Sequence, residues 1–387
     1  MIRDRCTQAV VLVGGEGTRL RPITSRLPKP AAPVVSRPFV SYIMEHLARH
    51  GVRRVIFSTG YLAEAIKAVV HDGAAYGLQV EYAIEDRPLG TAGAIKNSEP
   101  YLEDGPFLAL NGDVLTDVDV GALVGVHTRA AAQATIFLKS VEDPSRYGLV
   151  LIDPQGKVLQ FVEKPAPDAP APQPALINAG MYVLEPAVLD LIPAGEMFSI
   201  ERGVFPVLAE KGTMYGYAPE CYWRDIGTPE SYLAANFDVL EGLVTTKTGQ
   251  SMDTACLYRS STASVAPSAR IVPPVYLDDG VEVGEQAVVG PQVVVGAGSS
   301  IGAGACVTES VVQEDVRVGA EARLNHSVIV RRSVLGRRTR VWDAIVGEGC
   351  RVGDDNSLGR GLCLAPETVV PDGSMFYQEI GDGARSV

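Results

Sequence analysis

The sequence lacks the features that would place it in a membrane, on nucleic acid or in an oxidising compartment. No apolar run approaches the ~18 residues of a membrane-spanning helix. The first apolar run, Ala9 to Val13, is too short for the core of a secretory leader. The six cysteines, Cys6, Cys221, Cys256, Cys306, Cys350 and Cys363, are scattered and form no CxxC pair. Such usage predicts reduced thiols in a cytoplasmic protein. Positive charge is not in excess: 34 Lys and Arg stand against 46 Asp and Glu, a net charge of −12. A general nucleic-acid binder shows a basic balance, so neither nucleic acid nor a membrane is an expected partner. Apolar residues at 46% and charged residues at 21% are ordinary globular values and argue against disorder.

What is present fits a chain of 387 residues with two domains and a substantial core. The 40 glycines and 26 prolines predict frequent turns. Against the acidic background, the first forty residues carry Arg3, Arg5, Arg19, Arg21, Arg26, Lys29 and Arg37, opposed only by Asp4 and Glu16. A pocket sets its own field, so a small anionic substrate remains compatible with the net charge.

The two halves have different periods. In the first, short apolar runs alternate with helical patterns. Strands are predicted at 9–13, 53–59, 78–84 and 107–113, and helices at 39–51, 62–70 and 229–242. Phe39, Ile43 and Leu47 share one helical face, and Gly51 suits a left-handed C-terminal cap. Such alternation predicts an α/β fold with a mainly parallel sheet covered on both faces. Ligands of such sheets sit beyond the carboxyl ends of strands, where a glycine loop and "LNGDV" (110–114) both fall.

Residues 243–265 are polar, small and without strong period, which reads as a linker between domains at 1–242 and 266–387. A six-residue beat then begins: Val283, Val289, Val295, Ile301 and Val307, then Val312, Val318, Leu324 and Val330 after a shift, and later Leu335, Val341, Val346, Val352 and Leu358. Aliphatic residues at this spacing stack inside a β-helix, with glycines at its corners.

The loop "LVGGEGTRLRPITSRLPKP" (12–30) carries the chemistry. Backbone N–H groups reach phosphate only where side chains do not intervene, and Gly14, Gly15 and Gly17 meet that need at a strand end. Arg19 and Lys29 add charge for phosphate oxygens. The loop has neither the GK[ST] of a Walker loop nor the GxGxxG spacing of a dinucleotide fold.

The whole string resembles the GGxGTRLxPxT…PKP signature of sugar-nucleotide pyrophosphorylases, and the likeness continues. "EDRPLGTAGAI" (85–95) resembles the nucleotide-base loop, and "LNGDV" (110–114) and "YWRDIGTPESY" (222–232) the metal motifs. "YGLV" (147–150), "FVEKP" (161–165) and "INAGMYVL" (177–184) resemble the sugar-phosphate motifs. The chain is most similar to mannose-1-phosphate guanylyltransferases that end in hexapeptide repeats. The resemblance implies a Rossmann-like mixed sheet of nucleotide-diphospho-sugar transferase type followed by a left-handed parallel β-helix. It implies transfer of a nucleotidyl group from an NTP to a sugar 1-phosphate, releasing pyrophosphate, with Mg²⁺ as cofactor.

By that resemblance Arg19, Lys29 and Asp113 are catalytic. Leu12, Gly14, Gly15, Gly17, Thr18, Arg19, Glu85, Pro88, Gly90 and Thr91 hold the nucleotide. Gly148, Glu163, Lys164 and Asn178 hold the sugar phosphate, and Asp113 and Asp225 hold the metal. Taken singly, each has a plainer reading. Asp113 and Asp225 fit turns, Lys164 a solvated surface, Arg19 a helix cap, and Gly148 and Asn178 a turn. Trp223 fits packing. A phosphate monoester has its second pKa near ~6 and is largely dianionic at neutral pH, so it attacks phosphorus without a general base. No Ser-His-Asp arrangement is needed, and alignment with charge neutralisation suffices.

Guanine offers two adjacent donors, which the Glu85 carboxylate could accept. A solvated loop carboxylate is the alternative. GTP and mannose 1-phosphate are the favoured pair, with dTTP, UTP or ATP and glucose, heptose or cyclitol phosphates as alternatives. In the second half, His326 reads as a loop or ladder residue rather than the base of an acetyltransferase. "VRRSVLGRRTR" (330–340) is a solvated face, or binds an anionic regulator or an acidic partner. A homo-oligomer is expected from the exposed ends of the β-helix. A non-catalytic nucleotide-sugar sensor could lose Arg19, Lys29, Asp113 or Asp225, and all four are present.

Overall fold

The structure, a computed structural model, describes residues 6–60, 62–165, 172 and 174–376; Arg3, Asp4 and Arg5 fall outside it. The chain divides into two compact units. The first holds Met1–Glu16, Pro28–Ala31 and Phe39–Asp225, and the second holds Gly17–Leu27, Ala32–Pro38 and Ile226–Val387.

In the first unit, β1 (Gln8–Leu12) buries Ala9, Val10 and Val11 completely, as a strand covered on both faces must. It is followed by α1 (Phe39–Arg49), β2 (Arg54–Thr59), α2 (Ala63–Val70), β3 (Gln79–Ile84), α3 (Gly90–Asn97) and β4 (Phe107–Asn111). Gly51 has φ +84°, the left-handed conformation expected after α1. Strands β1, β2, β3 and β4 pair in parallel.

After β4 the chain forms β5 (Val114–Thr116), α4 (Val120–Ala130), β6 (Ala134–Val141), β7 (Gly148–Ile152), β8 (Val158–Glu163) and β9 (Ala175–Leu184). It ends the unit with α5 (Phe205–Glu210), β10 (Met214–Tyr217) and β11 (Trp223–Asp225). Among the described residues the main sheet has nine strands and runs β8-β7-β9-β4-β1-β2-β3, with β6 joined to β9 and β10 to β6. β9 is antiparallel to β4, β6 and β7, so the sheet is mixed, as the resemblance implied. Val10, Ile56, Ala109, Ile136, Tyr182 and Phe205 belong to its core. Among the described residues no helix is long and apolar enough to cross a membrane.

By its contacts, α6 (Pro229–Leu240) belongs to the second unit. Its polar contacts lie within that unit. Buried Asn236 accepts a bond from Val35 N at 2.8 Å, and the Tyr232 hydroxyl donates to Pro33 O while accepting from Gln313 Nε2 at 3.1 Å. The stretch 243–265 is more than a linker. It contains Lys247–Gln250 as a helical turn and two strands, Leu257–Arg259 and Ser264–Val265, which pair with Val275–Leu277 and Glu282–Val283. Its small polar residues hide the first coil of the β-helix.

Among the described residues that β-helix is three parallel sheets of seven, seven and six strands, consistent with the left-handed form the resemblance implied. One ladder of inward residues runs Val265, Val283, Ile301, Val318, Leu335, Val352 and Val370. The middle coils are one residue short of three hexapeptides. Val295 pairs with Val312, Val312 with Ile329, and Ile329 with Val346. The phase shift in the sequence is therefore a shorter corner, where Glu309, His326 and Asp343 take φ of +46°, +47° and +54°. The inward residue after Leu324 is Ile329, not the expected Val330. His326 occupies such a corner and its Nδ1 lies 2.7 Å from Asp343, an arrangement that serves the coil.

Candidate functional site

The carboxyl ends of β1 and β4 lie side by side, Leu12 opposite Asn111. The turn after β4 crosses β1 closely: Gly112 N donates to Leu12 O at 2.9 Å. A Cβ on Gly112 would lie 2.5 Å from Val13 and 2.8 Å from the Leu12 carbonyl, so only glycine fits and Asp113 emerges at the strand ends. The strand pair β5–β11 then sets Asp225 opposite Val114, the neighbour of Asp113.

These two devices bring both carboxylates to Lys29. Its Nζ lies 2.6 Å from Asp113 Oδ2 and 3.6 Å from Asp225 Oδ1. The Lys29 side chain is 11% exposed, against 35% and 25% for the two aspartates, so the ammonium is enclosed while the carboxylates face solvent. Two half-buried carboxylates open to solvent suit a hard cation that completes its shell with phosphate oxygen and water. Among the described residues no cluster of three or more His, Cys, Asp or Glu side chains could hold a metal alone.

Glu85 follows β3 and stands over the glycine loop. A Cβ on Gly14 would lie 3.1 Å from Glu85 Oε1. Oε1 accepts from Ser58 Oγ at 3.0 Å, and Oε2 accepts from Leu89 N at 3.1 Å, just before α3. Glu85 is thus no free loop carboxylate; it ties β2 to the start of α3. Gly90, at φ +70°, begins that helix, and a Cβ there would lie 2.8 Å from the Phe198 carbonyl. Thr91 accepts from Ile200 N at 2.9 Å and donates to Glu201 at 2.7 Å. Pro88 is exposed and Leu12 half-buried.

The sugar-phosphate candidates gather around β7, β8 and β9. Glu163 pairs opposite Gly148 at the end of the β7–β8 ladder, and a Cβ on Gly148 would lie 2.6 Å from the Phe161 ring. Burial pushes the Glu163 carboxyl above the ordinary carboxylate range, helped by the charge of Glu201 and opposed by Lys164 and Arg202. Lys164 takes φ +49° and its N–H donates to Tyr147 O at 3.2 Å. Both ends of the Asn178 amide are engaged within β9: Oδ1 accepts from Gly180 N, and Nδ2 donates to the Tyr182 hydroxyl, each at 2.9 Å. Trp223 packs, its Nε1 donating to Ala179 O at 2.9 Å and its ring meeting Tyr147 edge-on.

Gly17, Thr18 and Arg19 lie in the second unit. Gly17 has φ +60° and Thr18–Leu20 form a 3-10 turn on which Arg19 is exposed and makes no hydrogen bond or ion pair among the described residues.

Sequence reading missed Glu201 and Ser58. Glu201 lies in Ile200–Val204, a π-helical turn, and accepts bonds from both Thr91 and Ser199. π turns frequently mark functional sites, but "FSIERG" carries no signal of one before the fold sets it beside Thr91. Burial, with His50 and Arg49 nearby, pushes His46 down to about 3 and keeps it neutral.

The family described as "Nucleotidyl transferase" matches residues 8–242, and the one described as "GMPPB C-terminal domain" matches residues 271–375. A mannose-1-phosphate guanylyltransferase of Mycobacterium tuberculosis is 39% identical over 278 residues, 71% of this chain and 76% of the relative. A mannose-1-phosphate guanyltransferase of Yarrowia lipolytica is 36% identical over 377 residues, 94% of this chain and 97% of the relative. Among solved structures, HddC from Yersinia pseudotuberculosis complexed with GMP-PN aligns with TM-score 0.51 and 32% identity, covering 59% of this chain and 98% of that one.

Proposed function

The chain belongs to the nucleotidyl transferase family and is a sugar-1-phosphate nucleotidyltransferase, and on that premise we propose that it joins GTP and mannose 1-phosphate to give GDP-mannose and pyrophosphate. The observation that carries the mechanism is the convergence of Lys29, Asp113 and Asp225. The pair of substrates is supported by the likeness to guanylyltransferases along 94% of the chain.

A phosphate oxygen of mannose 1-phosphate attacks the α-phosphorus of GTP, and the bond from that phosphorus to the bridging oxygen breaks. Pyrophosphate leaves with the electron pair, and no proton need be removed from the dianionic nucleophile. The work of the protein is to align three anions and to offset their repulsion. Lys29 supplies a fixed ammonium at the centre. Asp113 and Asp225 would hold Mg²⁺, which supplies charge neutralisation at phosphate oxygens when bound. Arg19, with no acceptor among the described residues, is assigned to the triphosphate and the departing pyrophosphate.

Gly14, Gly15, Gly17 and Thr18 are assigned to phosphate through their backbone, and Leu12, Pro88, Gly90 and Thr91 to the nucleoside. Each Glu85 oxygen has spent one acceptor position and retains another, enough for guanine N1–H and the amino group. Glu163 accepts from sugar hydroxyls, Lys164 meets the sugar phosphate, and Gly148 and Asn178 shape the pocket. A cytoplasmic location fits six free cysteines, and association through the β-helix fits its open strand edges.

The test is pyrophosphate release from purified protein with Mg²⁺, each NTP in turn and a panel of sugar 1-phosphates. GTP with mannose 1-phosphate is expected to give the highest kcat/KM. Release with no pair would contradict the reading and favour a nucleotide-sugar sensor.

A further inference from the structure

The second unit carries a group of guanidiniums that the reaction does not use. Glu348, its side chain 4% exposed, accepts from Arg331 at 3.3 Å and makes a close ion pair with Arg332. Arg26 lies 3.9 Å from Glu348 and 2.8 Å from Glu367, and Arg331 lies 3.5 Å from Glu314. On the outer face of one sheet, Arg351 stands in register between Val334 and Val369. Among the described residues the Arg351 side chain makes no hydrogen bond or ion pair.

Arg26, Arg332, Arg351 and Glu367 line one cleft of ≈ 420 Å³, with the two valines as its apolar wall. That volume falls within the range of about 300–1,000 Å³ typical of small-ligand pockets. Buried Glu348 is already matched by arginine and fixes the guanidiniums in place. Three arginines are ion-paired with three glutamates, and Arg351 in the cleft adds a fourth guanidinium. Glu367 is 64% exposed, and turning it out to solvent leaves Arg26 only its 3.9 Å contact with Glu348, beside Arg351. Planar guanidinium forks match phosphate oxygens two at a time, and a concentrated positive cleft on a protein of charge −12 draws an anion that the remaining surface repels.

We propose that this arginine cleft is a binding site for a small phosphate-bearing anion, with Glu367 as the internal carboxylate that the anion displaces from Arg26. Arg26 lies in the glycine-loop segment, three residues before Lys29 in sequence.

The experiment is equilibrium dialysis of the full chain against radiolabelled orthophosphate at fixed ionic strength. Phosphate also has access to the residues assigned to catalysis, so the comparison rests on three variants. Arg351→Ala is expected to weaken one phosphate site by about tenfold or more, the loss of a charge-assisted contact. Glu367→Gln is expected to tighten the same site, and Arg19→Ala to leave it in place. Arg351→Lys, which keeps the charge, guards against misfolding and should retain part of the affinity. Phosphate binding that is identical in wild type, Arg351→Ala and Glu367→Gln would overturn the proposal and leave only an internal ion-pair network. Nucleotidyl transfer measured without phosphate should be unchanged in Arg351→Ala and Glu367→Gln. Its absence from wild type would refute the proposed reaction while leaving the phosphate result intact.

Discussion

Lys29 and Asp113 meet at 2.6 Å, and the same ammonium reaches Asp225 at 3.6 Å. Two carboxylates far apart in sequence thus share one cation from the chain itself. Without it they would repel at close range in a partly enclosed site. The arrangement holds the two carboxylates together through a cation of the chain's own.

Replacing Asp113 by Asn should remove most turnover and leave the fold intact. Losing several kcal/mol of charge stabilisation corresponds to a fall of about 10²–10³-fold in kcat. Steady-state pyrophosphate release and thermal melting check this together; near-normal kcat would refute the assignment of Asp113.

Lys29→Met should separate two properties that a merely structural lysine would move together. The ammonium competes with a divalent cation for Asp113 and Asp225, so substrate-free protein should bind Mn²⁺ more tightly in the variant. Turnover should nevertheless fall, because the fixed charge at the reacting phosphates is lost. Mn²⁺ titration by electron paramagnetic resonance, set beside kcat, reads both. Weaker Mn²⁺ binding in the variant would count against this geometry.

Glu201→Gln should shift the acid limb of the pH profile. Burial and then the Glu201 charge raise the Glu163 carboxyl above its usual range. If Glu163 must be ionised to accept bonds from sugar hydroxyls, activity is lost as pH falls through that raised value. Removing the Glu201 charge lowers the Glu163 pKa, so the limb in kcat/KM for the sugar phosphate moves to lower pH. The second ionisation of the substrate phosphate lies near ~6 in both enzymes and cancels in the comparison. Superimposable profiles would exclude the coupling.

Glu85→Gln should lower the GTP-to-UTP ratio of kcat/KM. The substitution brings an amide donor where two acceptors are wanted, against guanine, which offers donors there. An unchanged ratio would confine Glu85 to its bonds with Ser58 and Leu89.

Asn236→Ala tests the second unit. It strands the buried Val35 N–H, whose partner is the Asn236 carbonyl at 2.8 Å. Leaving such a donor unsatisfied costs about 1–3 kcal/mol. The midpoint of thermal unfolding should fall; a midpoint equal to wild type would show that the donor finds another partner.

The elements of the first unit were legible in the sequence because their apolar periods are local. Gly51 announced the end of its helix, and the glycine loop announced a strand end. Lys29, Asp113 and Asp225 were legible only as members of motifs, since nothing local says that β5 and β11 will pair. Glu201 was not legible: its partner Thr91 is contributed by α3, and its carboxylate looks like any surface residue in a linear reading. The hexapeptide beat revealed the β-helix, but not that its middle coils drop a residue at Glu309, His326 and Asp343. The first coil was hidden in 243–265 because its strands are two or three residues long and carry polar outward positions. The grouping of Ala32–Pro38 with α6 was equally hidden, because the bonds from Val35 N to Asn236 and from the Tyr232 hydroxyl to Pro33 O join residues about 200 apart in sequence.

The most direct test of the central claim is a crystal structure with GTP, Mg²⁺ and an unreactive analogue of mannose 1-phosphate. The account predicts one cation held by oxygens of both Asp113 and Asp225, at the roughly 2.0–2.1 Å of magnesium coordination, with Lys29 Nζ turned from the carboxylates to phosphate. A cation bound by phosphate alone, with Lys29 still bridging Asp113 and Asp225, would contradict it.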